Sequence, residues 1–527
     1  MSSNHYDVIV IGTGAGGGTL VRKLAGSGKR ILVLERGTFL PREPENWSSF
    51  DVIRKDRYHN SEKWLDRNGK EFKPGTGYWV GGNTKVYGAA VLRLRERDFE
   101  EVRHHGGVSP EWPIRYSDLE HYYSEAERLY EAHGLRGEDP TEPPASEPYP
   151  CPPVRHEPVL ARISSELTKR GLKPFHVPLA VRRNEAAPEQ SPCVRCATCD
   201  GFPCLVGAKG DAETMCIRPA LAQHGDRVTL RTGAKVLRIL TNASGRAVTG
   251  VEAELDGERV IFHGELVVVA CGAINSAALL LRSANSAHRN GLANGSGLVG
   301  RNFMRHQNAI FFCITREPNP TVFQKTLAVN DYYWGEPGFP YPMGHISLVG
   351  KSNKDMLAAG ASPFAPEFVL RWVASHSVDW WLTAEDLPNP ENRVRLQGDR
   401  IVVEYQDNNT AAMDRLIARW KHVLRNIHGP ASLFVTARLP IAAVGHQVGT
   451  CRFGTDPASS VLDVSCRAHE LDNLYVVDGS FFPSSAAVNP SLTIMANALR
   501  VGDHLLDRMG VQRTDPIEVP ALAAAAR

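Results

Sequence analysis

A short apolar run over residues 7–11 stops at Gly12 and predicts a buried strand. A helical pattern over 16–26 and a second apolar run over 30–35 complete a βαβ unit, which implies parallel pairing and a right-handed crossover. Residues 38–80 are rich in Gly and Pro and predict loop. An amphipathic helix is expected over 117–133, with Ser117 and Asp118 as capping candidates, followed by a proline-dense excursion over 138–158. From Val228 to Val269 the pattern turns to strands, at 228–231, 234–240, 248–255, 258–263 and 266–270. The last ends in Cys271-Gly272 and feeds a helix from about Asn275. Residues 316–390 show no clear period. Beyond them a hairpin (393–396 and 401–405, turning at Gly398-Asp399) and a helix over 410–428 are legible. The expected fold class is α/β, with a Rossmann-type unit beside a second unit built on an antiparallel sheet.

A chain of 527 residues is long enough for two or three domain-sized units. The net charge of +2 is close to balanced, and no basic run stands out. The nearest, Arg182-Arg183 and the Arg93, Arg95, Arg97 string, read as solvated faces, so neither nucleic acid nor an anionic membrane is an expected partner. The most apolar stretch, 266–281, is interrupted by Gly272, Asn275 and Ser276 and is shorter than a bilayer span. The first strand starts too early to leave room for a signal peptide, so a cytoplasmic location is expected. Apart from an alanine-rich tail after Pro520 there is no low-complexity segment or repeat.

Four motifs carry chemistry. Gly12-Thr13-Gly14-Ala15-Gly16-Gly17 follows a strand and opens a helix, and Glu35-Arg36 closes the next strand. The first glycine makes the turn, the second lets backbone approach a diphosphate, and Glu35 can accept hydrogen bonds from a ribose. This context predicts dinucleotide binding without separating FAD from NAD. Second, Gly81-Gly82-Asn83-Thr84 offers bare backbone and two polar side chains to a flat ring. Third, the strand ending at Cys271-Gly272, like the strand residue Val236, can return to the same cofactor. Fourth, His446 is followed by Asp478-Gly479 at a strand end and by Asn489-Pro490, with Thr493 one turn into a helix running to about Met509. Asn489 is placed as the N-cap of that helix, with Pro490 at its first position.

In order and spacing these motifs resemble the glucose–methanol–choline (GMC) family of flavoprotein oxidoreductases, over roughly residues 5–100, 190–310 and 385–508. Glu385-Asp386-Leu387-Pro388 and Asn392-Arg393-Val394 match the same pattern. The resemblance implies an FAD-binding domain from 1–100, 190–310 and 440–527. A substrate domain with loop or lid insertions would take 101–189 and 311–439. It implies that His446 is the catalytic base, that Asn489 positions the substrate oxygen, and that hydride passes to the flavin. Val80-Gly81-Gly82 resembles the pyranose-oxidase and glycoside-3-oxidase branch, where some members bond the flavin to a loop histidine. Val86 stands at that position here, so FAD is expected to be non-covalent. The expected reaction is oxidation of a secondary hydroxyl of a pyranose or glycoside to a keto-sugar, with O2 or a quinone-type acceptor reoxidising the flavin. A non-sugar alcohol, or a flavin-dependent lyase without net redox turnover, are the alternatives. A homo-oligomer is left open.

Two regions add detail. Cys193, Cys196, Cys199 and Cys204 depart from ferredoxin spacing, so no metal is expected, although a cluster, a zinc knot and a stapled loop all use such segments. Residues 316–385 hold Phe323, Tyr332, Tyr333, Trp334, Phe339, Tyr341, Trp372, Trp380 and Trp381 among Gln324, Lys325, Asn330 and Asp331. They read either as a sugar platform under a lid or as core.

Overall fold

The computed structural model describes residues 4–362, 364–443 and 445–512, so the alanine-rich tail lies outside the described residues. The N-terminal strand His5–Ile11 is buried along most of its length and sits between two parallel neighbours, Ile31–Leu34 and the second half of Glu258–Val269. Parallel strands covered on both faces read as unbroken apolar runs, which is why these segments show little alternation. Val228–Arg231 extends the sheet beyond Ile31–Leu34, and Leu474–Val476 pairs with the far side of Val267–Val269. The two strands expected over 258–270 are one twelve-residue strand. Its first half pairs antiparallel with Val248–Leu255 and its second half parallel with His5–Ile11. Gly264 joins the halves, because a Cβ there would stand 2.8 Å from the Ile9 side chain.

A second, six-stranded sheet is antiparallel throughout. Its order is Leu433–Arg438, Gln307–Ile314, Ser377–Ala384, His345–Leu348, Leu327–Val329, Pro174–His176. The helix Thr410–His428 covers one face with Met413, Leu416, Trp420 and Leu424, the 3–4 spacing of a buried stripe. Trp420 meets Trp380 edge-on at 4.7 Å between ring centroids. Truncating such a buried tryptophan costs about 3–5 kcal/mol. Residues 38–80, expected as loop, contain the short strands Trp64–Asp66 and Glu71–Phe72, which join the 393–404 hairpin in a small sheet.

Three local expectations are corrected. The helix at 117 begins at Tyr116, so Ser117 and Asp118 lie inside it, and the Asp118 carboxylate accepts the Arg115 N–H at 2.8 Å from the first turn. Arg93 and Arg95 are buried in ion pairs with Glu127 and Asp139, because opposed carboxylates offset their desolvation. Arg183 is likewise buried and paired with Glu185.

Candidate active site

A single cavity of about 840 Å3 runs along the C-terminal ends of the parallel strands and over one face of the antiparallel sheet. Open α/β sheets bind ligands at such strand ends. Gly12, Gly14, Glu35, Arg36, Val236, Cys271, Gly272, Asp478 and Gly479 line one part of it. Gly82, Asn83, Thr84, His446, Asn489 and Pro490 line the rest.

The Gly12 turn is tight on its protein side and bare on its cavity side. A Cβ on Gly12 would stand 2.3 Å from the Ala270 carbonyl oxygen, and one on Gly16 1.9 Å from that of Val477. At Gly14 and Gly272 a Cβ would meet nothing within 4 Å. The helix Ala15–Leu24 starts there, with its N–H groups directed at the open space. Glu35 Oε2 faces this turn, accepting from Thr13 N (3.1 Å) and Thr13 Oγ1 (2.6 Å), while Oε1 accepts from Gly37 N (2.9 Å). Burial raises the Glu35 carboxyl above its ordinary value against those three donors. The bare backbone, the helix terminus, the Glu35 carboxylate at the cavity wall and the apolar Ala234 and Val236 beside it fit the ADP half of FAD. Cys271 lines the cavity, and its thiol is pushed up to about 12 by burial, so it serves as a small inert wall residue.

Three residues expected at the cofactor do not line the cavity. Gly17 lets the first helix close on the strand, since a Cβ there would meet the Gly12 oxygen at 2.1 Å. Gly81 adopts φ +96° and donates its N–H to Thr13 Oγ1 at 3.0 Å. Thr493 turns inward to the Tyr123 hydroxyl at 2.8 Å. The polar groups of Asn83 and Thr84, expected to meet a ring, bond within the protein. Asn83 Oδ1 accepts from Gly77 N (2.7 Å), while Thr84 Oγ1 donates to Gly81 O (2.5 Å) and accepts from Ala212 N (3.0 Å). They shape the loop that carries Gly82.

At the other end, His446 and Asn489 come together from segments 43 residues apart, with Asn489 Nδ2 3.3 Å from His446 Nε2. Asn489 is not a helix cap. The helix is Ser491–Arg508 with Pro490 in the cap position, and no side chain caps it. The Asn489 amide is thereby free to face the histidine. Burial first, and the neighbouring His306 second, push the His446 imidazole down to about 3. His446 is therefore neutral at physiological pH, which is what a general base requires.

His306 was missed in the sequence. Its Nδ1 lies 2.9 Å from His446 Nδ1, and its Nε2 lies 2.9 Å from the Ser485 carbonyl oxygen. No spacing rule links positions 306 and 446. Beyond His446 the antiparallel sheet supplies a wall. Ile310, Trp381 and Ser347 lie side by side in cross-strand register and all line the cavity, with Asn308 two residues from Ile310. Trp381 lies 6.4 Å from the His446 ring and donates its indole N–H to Asn308 Oδ1 at 3.1 Å. Lys325, paired with Asp200 at 2.6 Å, also lines the cavity. Of the nine aromatics named from the sequence, only Trp381 reaches the cavity. Phe323, Tyr333 and Trp380 are core, and Trp372 is exposed. Strand alternation sends Trp380 into the core and Trp381 out of it.

Cys193, Cys196, Cys199 and Cys204 are free thiols. Among the described residues no group of three or more His, Cys, Asp or Glu side chains is arranged to hold a metal ion, and no helix is long and apolar enough to cross a membrane.

Comparison with known proteins agrees with this architecture. The GMC oxidoreductase N-terminal family model matches residues 6–308 and the C-terminal one residues 388–498. The chain is 32% identical to 6'''-hydroxyparomomycin C oxidase of Streptomyces lividus, over 96% of this chain and 92% of that protein. It is also 32% identical to paromamine 6'-oxidase of Streptomyces fradiae, over 94% and 90%. In fold it is similar to pyridoxine 4-oxidase from Mesorbium loti, with a TM-score of 0.67 at 18% identity, covering 94% of this chain and 98% of that one. With the family matched across both halves and the cofactor cradle and strand-end cavity in place, the chain belongs to the GMC oxidoreductases, FAD-dependent enzymes acting on CH–OH donors.

Proposed function

We propose that this enzyme oxidises a hydroxyl of a sugar or glycoside, with His446 as the base and Asn489 as the positioning donor. The observation that carries the reading is the wall beside His446. Trp381 supplies an aromatic side chain flanked by Asn308 and Ser347, and the Lys325–Asp200 pair adds charged groups to the lining of the same cavity. A pyranose has the matching surface, with apolar C–H faces and a rim of hydroxyls. The names of the two Streptomyces relatives, a 6'''-hydroxyparomomycin C oxidase and a paromamine 6'-oxidase, support a carbohydrate. Bound FAD supplies the hydride acceptor. The chain's own part is to seat the alcohol so that its hydroxyl faces His446 Nε2, which takes the proton, while the Asn489 amide donates to the oxygen. Pro490, Ser491 and Ile494 bring the start of the helix Ser491–Arg508 to the cavity, where its positive end favours negative charge developing nearby.

In this reading the sheet built on His5–Ile11 is the cofactor half and the six-stranded sheet the substrate half, with the divisions at residues 1–100, 190–310 and 440–527 against 101–189 and 311–439, except that the strand Gln307–Ile314 crosses the 310/311 division and goes wholly with the substrate half. The hydroxyl is a secondary ring hydroxyl, giving a keto-sugar, and the acceptor is O2 or a quinone. Anaerobic mixing with glucose, alkyl and aryl glycosides, paromamine and simple primary alcohols tests this. Bleaching of the flavin by sugars, with a keto product on mass analysis, is the expected result. Bleaching by simple alcohols alone rejects the carbohydrate. An aldehyde from paromamine keeps the carbohydrate and moves the reaction to an exocyclic carbon.

A further inference from the structure

We infer that His306 is a positioning residue that fixes the tautomer of His446, and so decides which of its ring nitrogens faces the substrate. The inference rests on His446 being the base. It starts from the one partner in the chain whose role is unambiguous. The Ser485 carbonyl oxygen can only accept, so His306 Nε2, 2.9 Å away, carries a proton and donates it. In a neutral His306 the other nitrogen, Nδ1, then holds a lone pair. His446 Nδ1 faces that lone pair at 2.9 Å and must donate to it. His446 Nε2 is left with the lone pair, and it is the nitrogen beside Asn489 Nδ2. The orientation therefore runs from a fixed backbone oxygen, through two imidazoles, to a basic nitrogen facing the reacting hydroxyl. The rings cross at 83°, which lets each offer an in-plane nitrogen to the other. His306 has no exposed surface, and burial lowers its affinity for a second proton, in keeping with the neutral form.

The backbone around this relay is held in unusual geometry. His306 adopts φ +65° and Ala486, next to Ser485, φ +52°, both in the left-handed region that non-glycine residues avoid. Such conformations persist where the surroundings over-determine them, and here both flanks are tied to Glu385-Asp386. Asp386 Oδ2 accepts from Arg305 N at 2.8 Å. The Asp386 backbone also exchanges hydrogen bonds with the Ser485 hydroxyl. Glu385 Oε1 accepts from Ala486 N at 3.2 Å. His306 and the Ser485 carbonyl are thus pinned to one buried frame. An active site can use such a frame to pre-set a proton position.

The test uses the FAD-loaded full chain and three variants. Asparagine tolerates φ > 0 and carries an acceptor oxygen at the δ position, so His306→Asn keeps the acceptor for His446, whereas His306→Leu removes it. With 15N-histidine labelling, the signals missing in His446→Ala identify His446. We expect Nδ1 protonated and Nε2 bare in the wild type, kept in His306→Asn and lost or mixed in His306→Leu. Flavin reduction by a sugar donor should fall on the order of 10²-fold in kcat for His306→Leu, with KM little changed and most of the rate restored in His306→Asn. A wild-type His446 protonated at Nε2, or a His306→Leu protein with unaltered tautomer and rate, overturns the inference. If His306→Leu fails to fold, the wild-type and His306→Asn spectra still decide it. If no alcohol bleaches the flavin, the functional reading fails, while the spectra decide the tautomer independently.

Discussion

His446 is held neutral by desolvation in the cavity wall and by the neighbouring His306, and that has a measurable sign. Protonation would remove the proposed base, and burial together with His306 pushes its pKa down to about 3 rather than the ordinary histidine value. The rate of flavin reduction by substrate should therefore stay flat as pH falls from 8 to 5. An acid limb with an apparent pKa above 6 would contradict it. Replacing His446 by Ala should leave FAD bound and slow reduction on the order of 10²-fold or more, as expected for loss of a positioned base. Asn489→Ala should cost less, because it removes one hydrogen bond to the substrate oxygen. Since Asn489 caps no helix, its melting temperature should stay near that of the wild type.

At the scale of elements, the first βα turn separates two kinds of glycine. Gly16 packs against the Val477 carbonyl, so a methyl group there must displace backbone. Gly14 has open space at its Cβ and borders the cavity. Gly16→Ala should destabilise the protein by ~1–3 kcal/mol or more, seen as a lower melting temperature. Gly14→Ala should fold normally and bind FAD more weakly, because the methyl group enters the space where backbone meets diphosphate. Equal melting temperatures and equal FAD affinities for the two variants would show that the turn does not divide in this way.

At the scale of the whole molecule, residues of both sheets line one cavity, which in the proposed reading seats cofactor and substrate together. Val86 rather than histidine lines it near Gly82, so FAD should be released into solution when the protein is denatured by acid or heat. Flavin remaining with the precipitated chain would reverse that expectation. The cysteine segment lies close to the same cavity, and two of its four sulfurs are engaged within the protein. Cys204 Sγ accepts from Ala208 N at 3.3 Å, and Cys199 Sγ lies 3.7 Å from Lys325 Nζ. Metal analysis of the purified protein should accordingly find iron and zinc well below one per chain, and about three or four irons per chain would overturn this.

The sequence alone determined the βαβ cofactor unit, the helix Thr410–His428 and the hairpin at 393–404, because periodicity and glycine placement are local properties of the chain. It also brought His446 and Asn489 into view, through a motif order that resembles a family. Tertiary structure decided the rest. Glu258–Val269 is one strand because its halves have different partners, and pairing partners are remote in sequence. Trp381 reaches the cavity while Trp380 is core because a sheet has two faces, and only the packed helix shows which one is covered. Asn489 looks like a cap in one dimension, and it faces His446 because Pro490 takes the cap position. His306 is invisible in the sequence for the same physical reason. Its partners stand 140 and 179 residues away, and only folding brings a buried carbonyl and two imidazoles within hydrogen-bond distance.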